Sequence, residues 1–238
     1  GPRVAAMGGA GVAGVADPTA AWWNPAGLYF MTGRQAQADY DDAYGLGLAQ
    51  RGWFGLTNKS VVDEPVFEAG RLRLVRRPGV GNAWALSVTT LFLDLGDESY
   101  SELAPGLSLA GGLGTDLAVG MSVYYLRASS SLDAVSGSGY TATFGVIAGL
   151  PGPGRLGLSV RHALSTVGWK DQPSDRLPIT PTLGLYWPLG SRGQLRSDVT
   201  WRQGDAGLAR FSAGGEYWVL PGHLAGRAGF RRMAAGLR

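Results

Sequence analysis

The chain has 238 residues, no cysteine and a formal net charge of +3. These values exclude disulfides and cysteine-ligated metals, and the small charge without a basic run gives no sign of a nucleic-acid partner. Only two histidines are present, His162 and His223, and no G-x-S-x-G motif occurs, so the sequence offers no metal site, cofactor site or catalytic triad and predicts a protein that is not an enzyme. Glycine is unusually frequent at 39 residues, more than twice the usual share of about 7%.

The first motif in chain order is G-x-G-x-x-G, spelled by Gly9-Ala10-Gly11-Val12-Ala13-Gly14. In a dinucleotide-binding protein this turn leads directly into a long helix whose N-terminus holds the pyrophosphate. Here Asp17-Pro18 and Asn24-Pro25 follow, and proline disfavours helix both at its own position and at the one before it. The sequence therefore predicts no nucleotide site in this stretch.

Residues 34–57 predict one to three strands whose bounds the pattern does not fix. From about Gly70 onward, large apolar residues alternate with small or polar ones, as in Leu183, Leu185 and Trp187 against Thr182 and Gly184. Period-two alternation is typical of strands with one apolar face. Ten strands are predicted, at roughly 70–77, 82–95, 106–113, 116–132, 137–150, 154–167, 178–189, 193–204, 207–219 and 223–235.

Turn residues separate these strands into two kinds of connection. Short breaks at Pro151–Gly154, Gly190–Gly193 and Pro221-Gly222 alternate with longer or more polar ones such as Gly96–Pro105 and Lys170–Arg176. Tight turns at one end and longer loops at the other are typical of outer-membrane barrels. A soluble sandwich also alternates, but its second face meets water and is rich in lysine and acids, whereas here that face is mostly glycine, alanine, serine and threonine with scattered arginine.

Small residues suit the concave interior of a barrel, so the charged residues in the same phase are predicted to face the lumen. These charges are Arg71, Arg73, Arg161, Arg196, Asp198, Arg202, Glu216, Arg227 and Arg231. Aromatic residues near the strand ends are predicted to form the interfacial girdles of a lipid-facing band. They are Trp84, Tyr124, Tyr125, Trp187, Trp201, Tyr217 and Trp218.

The N-terminal stretch resembles the signature of the FadL-type and PorV/PorQ-type outer-membrane proteins. The resemblance rests on Arg3, Met7-Gly8-Gly9-Ala10, Ala16-Asp17 and Trp23-Asn24-Pro25-Ala26-Gly27-Leu28. It implies an all-β, transmembrane, antiparallel up-and-down barrel of about 12–14 strands, with residues 1–33 as a hatch in the lumen and 34–238 as the barrel. The chain stops at Gly236-Leu237-Arg238, just past a strand, so closing strands are expected to be missing.

The predicted hatch residues are Asp17, Trp22, Trp23, Asn24, Pro25, Ala26 and Gly27. The residues themselves give this a physical basis. The Asn24 side chain can cap a short helical turn that has Pro25 at its first position, where a missing N–H costs nothing. The tryptophans offer large surfaces to pack against lumen side chains, and Asp17 is expected to pair with a lumen arginine. From spacing alone, an ordinary loop turn is the safer interpretation of Asn24-Pro25.

By this resemblance the protein is expected in the bacterial outer membrane, in contact with lipid and lipopolysaccharide, as a monomeric barrel that admits or binds small hydrophobic molecules. A PorV-type component that binds secreted or surface proteins is the first alternative, and a soluble β-rich binding domain is the second. The loops "LGDESYSELAP" and "KDQPSDR" are short and polar. They offer no evident apolar entrance, which counts against the transporter.

Overall fold

The computed structural model describes residues 2–42, 49–59, 63–68, 71–76, 81–94, 96–114, 116–131, 136–170, 172–204 and 209–233. Within these ranges, helical structure is confined to the N-terminal segment, which we define as residues 2–31. It contains the helices α1 (Pro2–Ala6) and α2 (Ala20–Trp23), followed by a 3-10 helix (Pro25–Phe30). In the part of the chain described, every helix is too short or too polar to cross a membrane.

The rest of the described chain is β-structure. The strands are β1 (Arg34–Asp42), β2 (Ala49–Lys59), β3 (Asp63–Glu68), β4 (Arg71–Arg76), β5 (Asn82–Asp94), β6 (Ser99–Gly112), β7 (Leu117–Ser130), β8 (Gly137–Gly149), β9 (Arg155–Trp169), β10 (Thr180–Leu189), β11 (Gly193–Trp201), β12 (Ala209–Leu220) and β13 (Leu224–Met233).

Eleven of these strands form one sheet, which we call the wall, in the order β1-β2-β5-β6-β7-β8-β9-β10-β11-β12-β13. The described pairings between neighbouring strands are all antiparallel. Apart from the β2–β5 step, each strand pairs with the next one in sequence, which is the up-and-down arrangement predicted. From β6 onward, connections of three to five residues (the short-turn end) alternate with connections of six to ten residues (the loop end). The all-β antiparallel fold class is thus confirmed.

The strand predicted at 70–77 is real but does not belong to the wall. Strand β4 pairs with β3 in a separate two-stranded sheet, while β2 pairs directly with β5. Arg71 and Arg73 lie on this hairpin rather than on a strand of the wall, and the prediction that they face the lumen concerns side chains outside the described part of the chain. Alternation of apolar with small or polar residues predicts a strand, but it does not indicate which sheet the strand joins.

Two further details differ from the prediction. The expected loop at Gly96–Pro105 is mostly strand, because β6 begins at Ser99, and Pro105 sits where the pairing of β6 with β7 is interrupted. Proline is tolerated at such a position because no ladder hydrogen bond is required there. Of the predicted girdle aromatics, Tyr124 faces inward and is only 2% exposed, since it packs over Gly106.

The outer face of the wall carries the large apolar side chains. Leu183, Leu185 and Trp187 are 41%, 39% and 38% exposed, whereas Thr182 on the other face of the same strand is 4% exposed. The same contrast recurs along the wall, at Trp84, Leu86, Leu107, Leu109, Met121, Val123, Phe144, Leu156, Leu158, Leu195 and Phe211. A soluble sandwich would bury this face under a second layer, and within the described ranges no such layer covers it.

The inner face is lined by small and polar side chains and is concave. Eleven strands spaced about 4.8 Å apart would make a flat sheet about 48 Å wide. Yet the N-terminal segment alone contacts strand β2 and every strand from β5 to β13 on this face. The sheet must therefore curve around the segment, and the buried core lies between the two.

Candidate functional site

The most apolar part of the site is the 3-10 helix packed on β5–β8. Ala26 and Leu28 are fully buried against a wall of small residues that includes Ala83, Ala85 and Ala118. The wall glycines allow this close approach, because a Cβ on Gly120 would lie 2.5 Å from the backbone nitrogen of Ala26. Tyr29, near the end of the 3-10 helix, is also buried, and this burial raises the pKa of its phenol.

Asn24 links the segment to two strands of the wall and is fully buried. Its side-chain oxygen accepts a hydrogen bond from the backbone N–H of Ala26, which caps the 3-10 helix with Pro25 at its first turn, as the sequence predicts. Its amide nitrogen lies 2.8 Å from the carbonyl oxygen of Val12, 3.2 Å from that of Val146 and 3.3 Å from that of Leu158. Two N–H bonds thus serve three carbonyls, on the segment itself, on β8 and on β9.

The glycine pair after α1 holds the segment against the last two strands of the described sheet. Gly8 and Gly9 have φ angles of 70° and 86°, a conformation that favours glycine. Met7, fully buried, lies directly over Gly214 and Gly229, where a Cβ would come within 2.6 Å of the Met7 backbone. The backbone at Met7 therefore packs directly against one glycine of β12, Gly214, and one glycine of β13, Gly229.

A buried carboxylate on β12 ties down the start of the segment. Glu216 is 3% exposed and accepts hydrogen bonds from Arg3 Nε and Nη2 at 2.9 and 2.6 Å. It also accepts from Arg227 Nε at 2.5 Å and from Gln194 Nε2 at 2.6 Å. Arg3 and Arg227 keep part of their surface exposed, so the buried charge is compensated without burying both cations fully.

The glycine-rich stretch binds a second carboxylate. The backbone N–H groups of Gly11 and Val12 donate to Oδ2 of Asp198 at 2.7 and 3.1 Å. Gly14 lies against the side chain of Arg196, where a Cβ would approach Nε to 2.7 Å, and Arg196 in turn donates to Gln194. The motif that resembles a phosphate-binding turn thus meets two charged residues of the wall.

Three further predicted site residues, Asp17, Trp22 and Arg231, also form contacts within the segment or with the wall. The carboxylate of Asp17 accepts hydrogen bonds from the backbone N–H and hydroxyl of Thr19, and its charge interacts with that of Arg196, one of the lumen arginines expected as its partner. The ring of Trp22 lies edge-on to Tyr124, with the Arg161 guanidinium 5.9 Å from its centroid. Arg231 donates from Nε to the carbonyl oxygen of Gly8.

Trp23 and Gly27 pack inside the segment. Trp23 contacts the buried core, and a Cβ on Gly27 would lie 2.3 Å from the carbonyl oxygen of Val15. Arg202 is different from the other predicted charges. It follows the last residue of β11, so it lies beyond the strand on which it is predicted, and it is exposed at the loop end, where its charge acts on His162.

The sequence does not predict several residues that join the segment to the wall. Arg3 belongs to the family signature, but its spacing does not indicate Glu216 as its partner. Gln194 is uncharged, so a search for lumen charges does not find it. On the opposite side of the lumen, Trp53, Asp39 and Arg51 also face inward. The inner phase of β1 and β2 could have identified them, but those strands were not placed from the sequence.

Two of the cavities lie towards the loop end of the sheet. One of about 290 Å³ lies between the segment and strands β1, β2 and β5, towards the loop end. The other, of about 810 Å³, lies beside an irregularity in β9, where His162 has a φ of 57° and bonds Thr141, and the β8–β9 register shifts. In the described ranges, no group of three or more metal-binding side chains occurs.

No protein-family model and no curated protein matches the chain. Among solved structures it is similar to the Ralstonia pickettii toluene transporter TbuX, at 15% identity over 99% of this chain and 86% of that one, with a TM-score of 0.64. The P. putida toluene transporter TodX is also similar, at 13% identity over 98% of this chain and 83% of that one, with a TM-score of 0.49.

The chain has a FadL-like fold. The FadL-like part of the resemblance is thereby confirmed at the level of the fold, and the similar structures are transporters rather than enzymes. The PorV/PorQ resemblance stays a prediction. At 15% identity, the likeness to TbuX shows the fold.

Proposed function

We propose that this chain is a bacterial outer-membrane channel for small hydrophobic molecules, with residues 1–33 as its hatch and 34–238 as its barrel. The outer face meets lipid and lipopolysaccharide, and the barrel acts as a monomer. A cargo of small hydrophobic molecules is in keeping with the fold of TbuX, which is a toluene transporter.

The contacts of the N-terminal segment carry this proposal. One segment contacts ten of the eleven wall strands, so it obstructs the space that the wall surrounds. Its attachments are of two kinds. The 3-10 helix is packed by apolar contacts on β5–β8, whereas α1 is held by the Arg3–Glu216 ion pair and by glycine contacts on β12 and β13. Passage requires one of these attachments to give way.

The test is uptake of radiolabelled toluene into proteoliposomes, with sucrose as the polar comparison. Because the chain has no cysteine, Arg3→Cys and Arg227→Cys can be joined by a short reducible dithiol linker. We expect toluene uptake to fall on cross-linking and to recover on reduction, while sucrose stays excluded throughout. A matched pair on the outer face, Leu185→Cys with Leu195→Cys, should leave uptake unchanged. Toluene uptake equal to that of empty vesicles would reject the proposal.

Binding of a secreted or surface protein is the second candidate, favoured by the polar sequence of the loop-end connections such as 170–179. In that case the loops, and not the segment, form the site. Exchanging residues 172–175 for a Gly-Ser linker should then abolish capture of a secreted partner and leave toluene uptake unaffected. If the channel proposal is right, the same exchange leaves uptake unchanged and captures nothing in either form.

A further inference from the structure

The cavity of about 290 Å³ near β1 lies on the loop-end side of the N-terminal segment. Strand β1 begins beside the 3-10 helix, where Lys59 Nζ donates to the carbonyl oxygen of Tyr29, and Asp39 and Asp41 lie towards its other end. The cavity is lined by both the segment and the wall. A ligand in it would therefore contact the element that has to move before anything passes.

Three indole rings dominate its lining. Trp22 and Trp23 come from the segment, and Trp53 comes from β2, where its six-membered ring lies over Gly55. Aromatic surfaces favour aromatic ligands through stacked and edge-to-face contacts. An apolar cavity of about 150 Å³ is large enough for benzene. The present volume therefore suits one substituted ring better than a long acyl chain.

The polar groups of the cavity set the chemistry of the substituent. Asp39 and Asp41 supply two carboxylates, and Arg51, the register partner of Asp41, supplies one cation. Ionised carboxylates only accept hydrogen bonds, so a ligand must donate to them, and the net negative charge disfavours an anion. Three further polar groups of the lining are buried without a hydrogen-bond partner among the described residues: the hydroxyl of Thr89 and the indole N–H groups of Trp23 and Trp53. An indole N–H only donates, so a hydroxyl substituent, which both donates and accepts, matches this lining.

We infer that this cavity is a binding site for a single-ring aromatic molecule that carries a hydroxyl group and is not an anion. The ring packs among the three indoles, and the substituent donates to a carboxylate. This inference rests on the proposed function and narrows its cargo. It separates phenol-type molecules from plain hydrocarbons, which have no group to donate, and from organic acids, which repel the aspartates.

Calorimetric titration of the detergent-solubilised protein tests it with three probes, phenol, toluene and benzoate. We expect phenol to bind, toluene to bind about fivefold more weakly for want of one hydrogen bond, and benzoate about tenfold more weakly or not at all. Trp53→Leu should weaken phenol binding about tenfold. Trp84→Leu, which removes an indole from the outer face of β5, should leave it unchanged. Benzoate binding as tightly as phenol would overturn the inference.

A second variant covers the case in which Trp53→Leu fails to fold. Asp39→Asn keeps the shape of the side chain and its bond with Gln37 but removes a negative charge. It should raise benzoate affinity relative to phenol, and an unchanged ratio would contradict the inference. The proposed function is judged separately. If phenol fails to bind while the linker still blocks toluene uptake, only the inference is lost; if uptake itself is absent, the channel proposal fails.

Discussion

The backbone N–H of Gly11 donates to Oδ2 of Asp198 across 2.7 Å, and the N–H of Val12 donates to the same oxygen. Successive backbone N–H groups of a glycine-rich turn form a concave anion site. In this chain the anion is a side chain of the wall, 187 residues away in sequence, rather than a phosphate. The turn chemistry of a nucleotide motif is thus used to hold the segment to the barrel.

Removing that acceptor should loosen the segment. Asp198→Ala leaves two buried N–H groups without a partner, at a cost of about 1–3 kcal/mol for each, and we expect faster proteolysis of residues 2–31 in vesicles. Asp198→Asn keeps an acceptor oxygen and should give a smaller effect. Equal proteolysis rates for Asn and Ala would show that hydrogen-bond acceptance is not what Asp198 contributes.

Asn24 is expected to be the most sensitive polar position of the segment. Asn24→Ala removes the bonds to Val12, Val146 and Leu158 and leaves buried carbonyls unsatisfied, so small-solute conductance in planar bilayers should rise. Asn24→Asp should leak as well, because an ionised carboxylate cannot donate. Asn58→Ala on the outer face of β2 is the matched control. Wild-type conductance for both Asn24 variants would refute this role.

Two glycines of β13 allow the effect of close packing on stability to be distinguished from the effect of replacing any glycine by alanine. A Cβ on Gly229 would lie 2.2 Å from the carbonyl carbon of Met7, whereas a Cβ on Gly226 would meet nothing within 4 Å. Gly229→Ala should therefore destabilise the protein by about 1–3 kcal/mol through overpacking. Gly226→Ala should be neutral or slightly stabilising. Urea unfolding in lipid vesicles measures both, and equal midpoints for the two variants would argue against contact between α1 and β13.

The Arg3–Glu216 ion pair can be isolated with a double-mutant cycle. Arg3→Gln and Glu216→Gln, singly and together, should show a coupling of about 1–2 kcal/mol, between the values for exposed and buried pairs because Arg3 is partly exposed. Arg202→Gln, which removes an exposed arginine at the loop end, should combine additively with Glu216→Gln. Unfolding free energies give both cycles, and a coupling near zero for Arg3 would remove this ion pair from the attachment of α1.

Much of the wall could be predicted because its outer face carries large apolar side chains and its inner face small or polar ones. Nine of the ten predicted strands lie in the described sheet, and Leu183, Leu185 and Trp187 are exposed on the face where alternation places them. Alternation does not encode which sheet a strand joins, so the β3–β4 hairpin was assigned to the wall. Strands β1 and β2 were not placed, because acids and glycines interrupt their apolar phase.

The segment was predicted less completely, for a physical reason. The cap formed by Asn24 is local and follows from sequence spacing. Its bonds to Val146 and Leu158, and the choice of Glu216 as the partner of Arg3, depend on contacts more than a hundred residues apart. Asp17 illustrates the limit: its hydrogen bonds come from Thr19, two residues away, while spacing does not single out Arg196 among the arginines whose charge could interact with it.

The apolar side chains of the wall should face lipid, while the side chains of the inner face should not. Single substitutions Leu185→Cys and Thr182→Cys, two strand positions of opposite phase in a chain without native cysteine, can each carry a fluorescent label in liposomes. Quenchers attached to lipid acyl chains should reduce the emission of the label at position 185 strongly and that at position 182 hardly at all. Equal lipid quenching at the two positions, or stronger quenching at 182, would show that the apolar face of the wall does not face lipid.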